Sequence, residues 1–88
     1  MKLIEKNIDR VIVKTMNKIP YCYFVVMKSG WVSDSRQFIN VVNGRTTADY
    51  YDKSRLPKAV RQFIDKRTAR ERILSGIDID GFKEYVFE

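Results

Sequence analysis

Residues 53–72, KSRLPKAVRQFIDKRTARER, set both the fold class and the charge of this chain. Leu56, Val60, Phe63 and Ile64 recur at helical spacing, so the stretch reads as an amphipathic helix with one apolar stripe. Ser54 can cap its start through a hydroxyl that accepts a free first-turn N–H, and Pro57 then falls in the first turn, where a missing N–H costs little. Continuing the same helix brings Arg67 and Arg70 onto the stripe. Thr68-Ala69-Arg70-Glu71 matches a capping box, which starts a fresh helix ending at Gly76. The expectation is therefore a helix kinked or split near Arg67.

Outward from this segment the chain reads as strands. Asp9 to Thr15 alternates, with Val11 and Val13 on one face and Arg10, Ile12 and Lys14 on the other. Asn17 to Pro20 reads as a turn. Tyr21 to Met27 is the most apolar strand, with Tyr21, Tyr23, Val25 and Met27 facing one way and Cys22, Phe24 and Val26 the other. Apolar residues on both faces imply a central strand, or a sheet with one face used for binding. Ser29-Gly30 supplies a turn. Arg36 to Val42 and Arg45 to Tyr51 flank Asn43-Gly44, a pair that tolerates the positive φ of a type I′ hairpin. Ile77 to Phe87 reads as a final strand, interrupted at Gly81. The order β-β-β-β-α-β predicts an α+β fold, a small antiparallel sheet of four to five strands with the basic helix packed on one face.

Composition narrows the function. The 88 residues form a single domain whose one core must do everything, and the 44% hydrophobic and 12% aromatic content excludes a disordered chain. The longest apolar stretch, Ile19 to Met27, is too short to span a bilayer, and the N-terminus lacks the apolar region of a signal peptide. One cysteine, Cys22, forms no intramolecular disulfide and fits a reducing cytoplasm. With no histidine and one cysteine the chain builds no ordinary zinc site.

No Gly-rich phosphate loop, nucleophile elbow or metalloprotease motif is present, and histidine, the commonest general base, is missing. Asp78, Asp80 and Glu84 are the carboxylates with magnesium chemistry, but such acids are more often solvated. Cys22, in an apolar strand with no histidine to activate it, reads as a buried structural thiol. The chain is expected to be no enzyme and to need no cofactor and no metal.

The charge points to binding. Residues 53–72 hold eight bases against Asp65 and Glu71, while the rest of the chain balances nine bases with nine acids, so this segment carries the whole net charge of +6. A basic helix of this density is the footprint of a phosphate-backbone binder; the competing reading is a solvated helix face. Lys53, Arg55, Lys58, Arg61, Lys66, Arg67, Arg70 and Arg72 are the candidate contacts. Lys58, Arg61, Asp65 and Arg72 are expected on the helix side opposite the stripe. Arg67 and Arg70 are expected to swing outward beside Arg72 as a cationic corner. Tyr21, Tyr23 and Trp31 are candidates for base stacking, with Tyr50 and Tyr51 as further aromatics, although most aromatics of so small a protein must help form the core. Arg36 and Arg45 extend the basic surface or guard a sheet edge.

A small, basic chain without a cofactor motif, rich in Lys, Ile, Val, Asp and Tyr, resembles the early accessory proteins of T-even-like bacteriophages. The resemblance lies in overall character and transfers no site residues. It implies an anti-defence role, including that of RNA-associated antitoxins that silence a toxin ribonuclease, and hence the host cytoplasm.

Three functions fit these readings. The first is a non-enzymatic nucleic-acid-binding domain, with RNA preferred and DNA as the other target, acting alone or bridging RNA to a protein. The second is a protein-binding inhibitor of a host nuclease or defence factor. The third is a DNA-binding accessory or transcription-related protein whose helix enters a major groove. None needs a membrane.

Overall fold

The computed structural model describes residues 4–17, 19–34, 56–76 and 79–88. A 3-10 turn at Glu5–Asn7 leads into β1 (Ile8–Met16), followed by β2 (Ile19–Met27) and β3 (Val32–Asp34). Helix α1 (Lys58–Asp65), a short β4 (Arg70–Glu71) and β5 (Phe82–Phe87) complete the chain. The five strands form one antiparallel sheet in the order β3-β2-β1-β5-β4. The α+β class read from the pattern is what the chain adopts. No helix among the described residues is long and apolar enough to cross a membrane.

Strand β1 lies in the middle of the sheet because both of its neighbours use it: Val11 pairs with Val25 and Phe87, and Val13 with Tyr23 and Tyr85. β2 is internal, between β1 and β3; its Tyr23, Val25 and Met27 lie in the core with the helix residues, while Phe24 and Val26 line the other face of the sheet. The turn between β1 and β2 is shorter than the sequence suggested. Asn17 takes a positive φ of 52°, a conformation asparagine tolerates, and the strand resumes at Ile19. Pro20 has no N–H for the ladder. It lies past a register shift between Lys14 and Thr15, in the part of β2 that β3 does not cover.

The final strand is described over Phe82–Phe87; of the strand read from Ile77, residues 77 and 78 lie outside the described residues and 79–81 are not strand. Gly81 takes φ +82°, and its carbonyl accepts the Asn17 N–H at 2.6 Å. L side chains rarely adopt this φ, which favours glycine at this crossing of two turns, and a Cβ there would also displace the Asn17 side-chain oxygen.

Helix α1 lies over one face of the sheet. Val60, Phe63 and Ile64, together with Leu56 just before the helix, pack on Val11, Val13, Tyr23, Val25 and Met27 as a single core. All four stripe residues are buried, as the helical spacing required. Pro57 occupies the position before the first helical residue, and its carbonyl accepts the Arg61 N–H at 3.1 Å. Ser54 and the Asn43-Gly44 hairpin at 36–51 lie outside the described residues.

The predicted kink or split does not occur. α1 is one unbroken helix of eight residues that ends at Asp65, and residues 68–76 form no second helix. Arg70 and Glu71 instead pair with Val86 and Tyr85 at the edge of the sheet. Glu71 does not reach back to Thr68; it lies 3.4 Å from Lys83. A capping box satisfies the free N–H groups of a helix start, but a strand edge satisfies the same backbone and needs no exposed helix of low apolar content.

Candidate functional site

The bases of residues 58–72 are divided among three places. Lys58, Arg61 and Lys66 lie on α1 or its end, away from the buried stripe. Arg67 sits beyond the helix, its guanidinium carbon 3.6 Å from the centroid of the Phe63 ring and its Nη1 donating to the Phe63 carbonyl at 3.0 Å. It closes the C-terminal end of α1, where a cation meets the negative end of the helix dipole. Arg70 belongs to β4, and its partner Val86 pairs in turn with Ile12, and Ile12 with Phe24. Directly paired residues share a face, so Arg70 lies on the sheet face opposite the helix.

Arg72 was expected on the outer face of the helix and is not on it. Its N–H donates to the Glu84 carbonyl at 2.9 Å, and its guanidinium pairs with Glu88 at 2.6 Å. The compact corner of Arg67, Arg70 and Arg72 expected from a helix restart is therefore replaced by a band. It runs from the outer surface of α1, around the β4 edge, onto the second face of the sheet. Lys53 and Arg55 lie outside the described residues.

The band is weakly neutralised. Arg72 pairs with Glu88 in a solvent-exposed pair of the kind worth about 0–1 kcal/mol, and Lys66 lies 2.9 Å from the partly buried Glu5. Arg61 donates to the Leu56 carbonyl at 3.1 Å and Arg67 to that of Phe63. A carbonyl fixes a guanidinium without cancelling its charge. Among the described residues, neither Lys58 nor Arg70 has a carboxylate partner.

The expected aromatic platform takes a different form. Tyr23 is only 4% exposed and belongs to the core under α1, so its ring cannot meet a base. Trp31 is 42% exposed, in the β2–β3 turn. The side chain of Tyr21, and Tyr50 and Tyr51, lie outside what the structure describes. Cys22 is buried at 1% exposure, in keeping with a structural thiol.

The sequence allowed a sheet with one face used for binding, but the β1 and β2 residues of that second face were not among the candidate contacts. Arg10, Ile12 and Lys14 of β1 and Phe24 of β2 line an open groove of about 330 Å³, with Val32 and Leu74 at its sides. The Lys14 ammonium lies 5.1 Å from the Phe24 ring centroid and 5.9 Å from that of Phe82. The signal was present, because Arg10, Ile12 and Lys14 alternate on one face, but two bases in a strand are inconspicuous beside eight within residues 53–72.

Glu84, an acid in this groove, is buried. Burial pushes its carboxyl up, but the Ser75 hydroxyl (2.5 Å) and N–H (3.1 Å), the Lys14 charge and the Leu74 N–H together bring it below the ordinary glutamate value. A folded-state value below the unfolded one adds stability above the unfolded value and loses it as pH falls through the folded one. Glu84→Gln should cost about 1.5–3 kcal/mol at neutral pH. The gap from wild type should close as pH falls below the glutamate range, which thermal melts across acid pH will show. Asp80 is exposed, Asp78 lies outside the described residues, and the described residues hold no cluster of three or more metal-binding groups.

Comparison of the chain with protein-family models, with curated proteins and with solved structures found no match.

Proposed function

We propose that this chain is a non-enzymatic nucleic-acid-binding domain, with RNA preferred over DNA, that holds the phosphate backbone along its cationic band. The observation that carries this reading is the band itself: six bases between Lys58 and Arg72, on exposed or half-exposed positions, of which four face no carboxylate among the described residues. Cations held without a charge partner favour a polyanion, whose binding releases counterions. The exposed pair of Arg72 with Glu88 exchanges for phosphate at little cost. The preference for RNA rests on the resemblance to phage accessory proteins, which also places the activity in a host cytoplasm.

One observation favours a protein partner as a second reading. Ile73 and Leu74 stand 58% and 50% exposed directly after Arg72, and apolar side chains beside cations suit an acidic protein surface such as that of a host nuclease. Purification from cells at low salt separates the two. Co-eluting RNA, seen by its absorbance and removed by ribonuclease, is the expected result. A stoichiometric protein that stays bound at high salt, with no nucleic acid, supports the inhibitor reading instead.

A further inference from the structure

The groove on the second face of the sheet has the composition of a ligand site. Its floor is apolar and aromatic, from Ile12 and Phe24, and among the described residues no second layer covers it. Its sides, Val32 and Leu74, are each about half exposed although apolar. Its volume of about 330 Å³ falls at the lower end of the range for small-molecule sites, about 300–1,000 Å³. Arg10 and Lys14 belong to its lining, and Arg70 shares a cross-strand row with Phe24 through Val86 and Ile12. Asp9 holds Arg10 only in an exposed pair at 2.7 Å; Glu84, hydrogen-bonded by Ser75, stays a carboxylate in the lining and offsets part of the Lys14 charge, so Arg10 and Arg70 carry most of the attraction for phosphate.

An apolar aromatic floor beside cations complements a flat ring that carries phosphates. We propose that the groove receives an unpaired nucleobase of a bound single strand, which packs on Phe24 and Ile12 in place of the Lys14 ammonium that lies 5.1 Å from the Phe24 ring centroid, while Lys14, swung outward, and Arg10 and Arg70 hold the flanking phosphates. The inference rests on the nucleic-acid reading above and specifies the form of the ligand. The band leads to the groove, since Arg70 and Arg72 lie where the chain turns from the β4 edge onto this face. A duplex keeps its bases stacked and paired, so it can meet the band but not the groove floor. Stacking on aromatic side chains tolerates any base, so selectivity for single strands comes without a demand for sequence.

The test is a pair of titrations by fluorescence anisotropy, with a short labelled oligouridylate and an RNA duplex of the same length. Wild type should bind the single strand more tightly. Phe24→Leu, which keeps an apolar side chain but removes the ring, should weaken single-strand binding about tenfold and leave duplex binding unchanged. Val32→Gln alters an exposed wall without entering the core or adding charge, and should weaken single-strand binding while leaving duplex binding unchanged even if Phe24→Leu folds poorly. If folded variants bind the single strand as wild type does, the groove proposal fails while salt-dependent binding by the band stands. If wild type binds neither form, both readings fail.

Discussion

Phe63→Ala is expected to lower the stability of this protein by about 3–5 kcal/mol, a large part of what a domain of this size possesses. The ring is 1% exposed and packs in the one core that joins α1 to β1 and β2. Its removal leaves a cavity that Val60 and Ile64, already buried on either side, cannot fill. It also removes the surface on which the Arg67 guanidinium stacks, so the end of α1 loses a packing partner along with the core. Thermal or urea denaturation measures the effect directly. A melting temperature close to that of wild type contradicts the packing of α1 on the sheet.

The second large effect concerns binding. Lys58, Lys66, Arg70 and Arg72 make no hydrogen bond to the main chain through their side chains, and all are exposed. Changing the four to glutamine should alter stability by no more than exposed substitutions ordinarily do, about 0.5 kcal/mol each. Nucleic-acid affinity at low salt should fall about a hundredfold or more, because each lost phosphate contact forgoes the release of a counterion. Arg61 and Arg67 are left in place because they bond to the carbonyls of Leu56 and Phe63, and their loss would confuse folding with binding. A folded quadruple variant that binds as wild type does removes the band from the interface.

How far the sequence could be read differs from one element to the next. The α1 stripe was legible because Leu56, Val60, Phe63 and Ile64 follow the helical period within nine residues, and a periodicity of that kind survives any tertiary arrangement. The end of α1 was half legible. The cost of placing Arg67 and Arg70 on an apolar stripe was visible, but the relief lay in pairing of Arg70 with Val86 and Glu71 with Tyr85, a contact remote in sequence. Thr68 and Glu71 have the residue types of a capping box, and a local motif cannot reveal that a sheet edge competes for the same backbone. Tyr23 failed as a stacking residue for a related reason. β2 is apolar on both faces, and its own pattern does not say which face the helix covers. Once α1 takes the Tyr23 and Val25 side, Phe24 is left on the other side, in the lining of the groove.

The cationic band is the centre of this account, and a salt titration tests it most directly. Affinity of the wild-type protein for an RNA strand is measured from low to moderate salt and plotted as log affinity against log salt. Four to six phosphates neutralised by the band predict a slope of about −3 to −4 on a single strand, made shallower by roughly 0.7 for each contributing base removed. A slope near zero contradicts the account, since contacts that release no counterions are not contacts to phosphate.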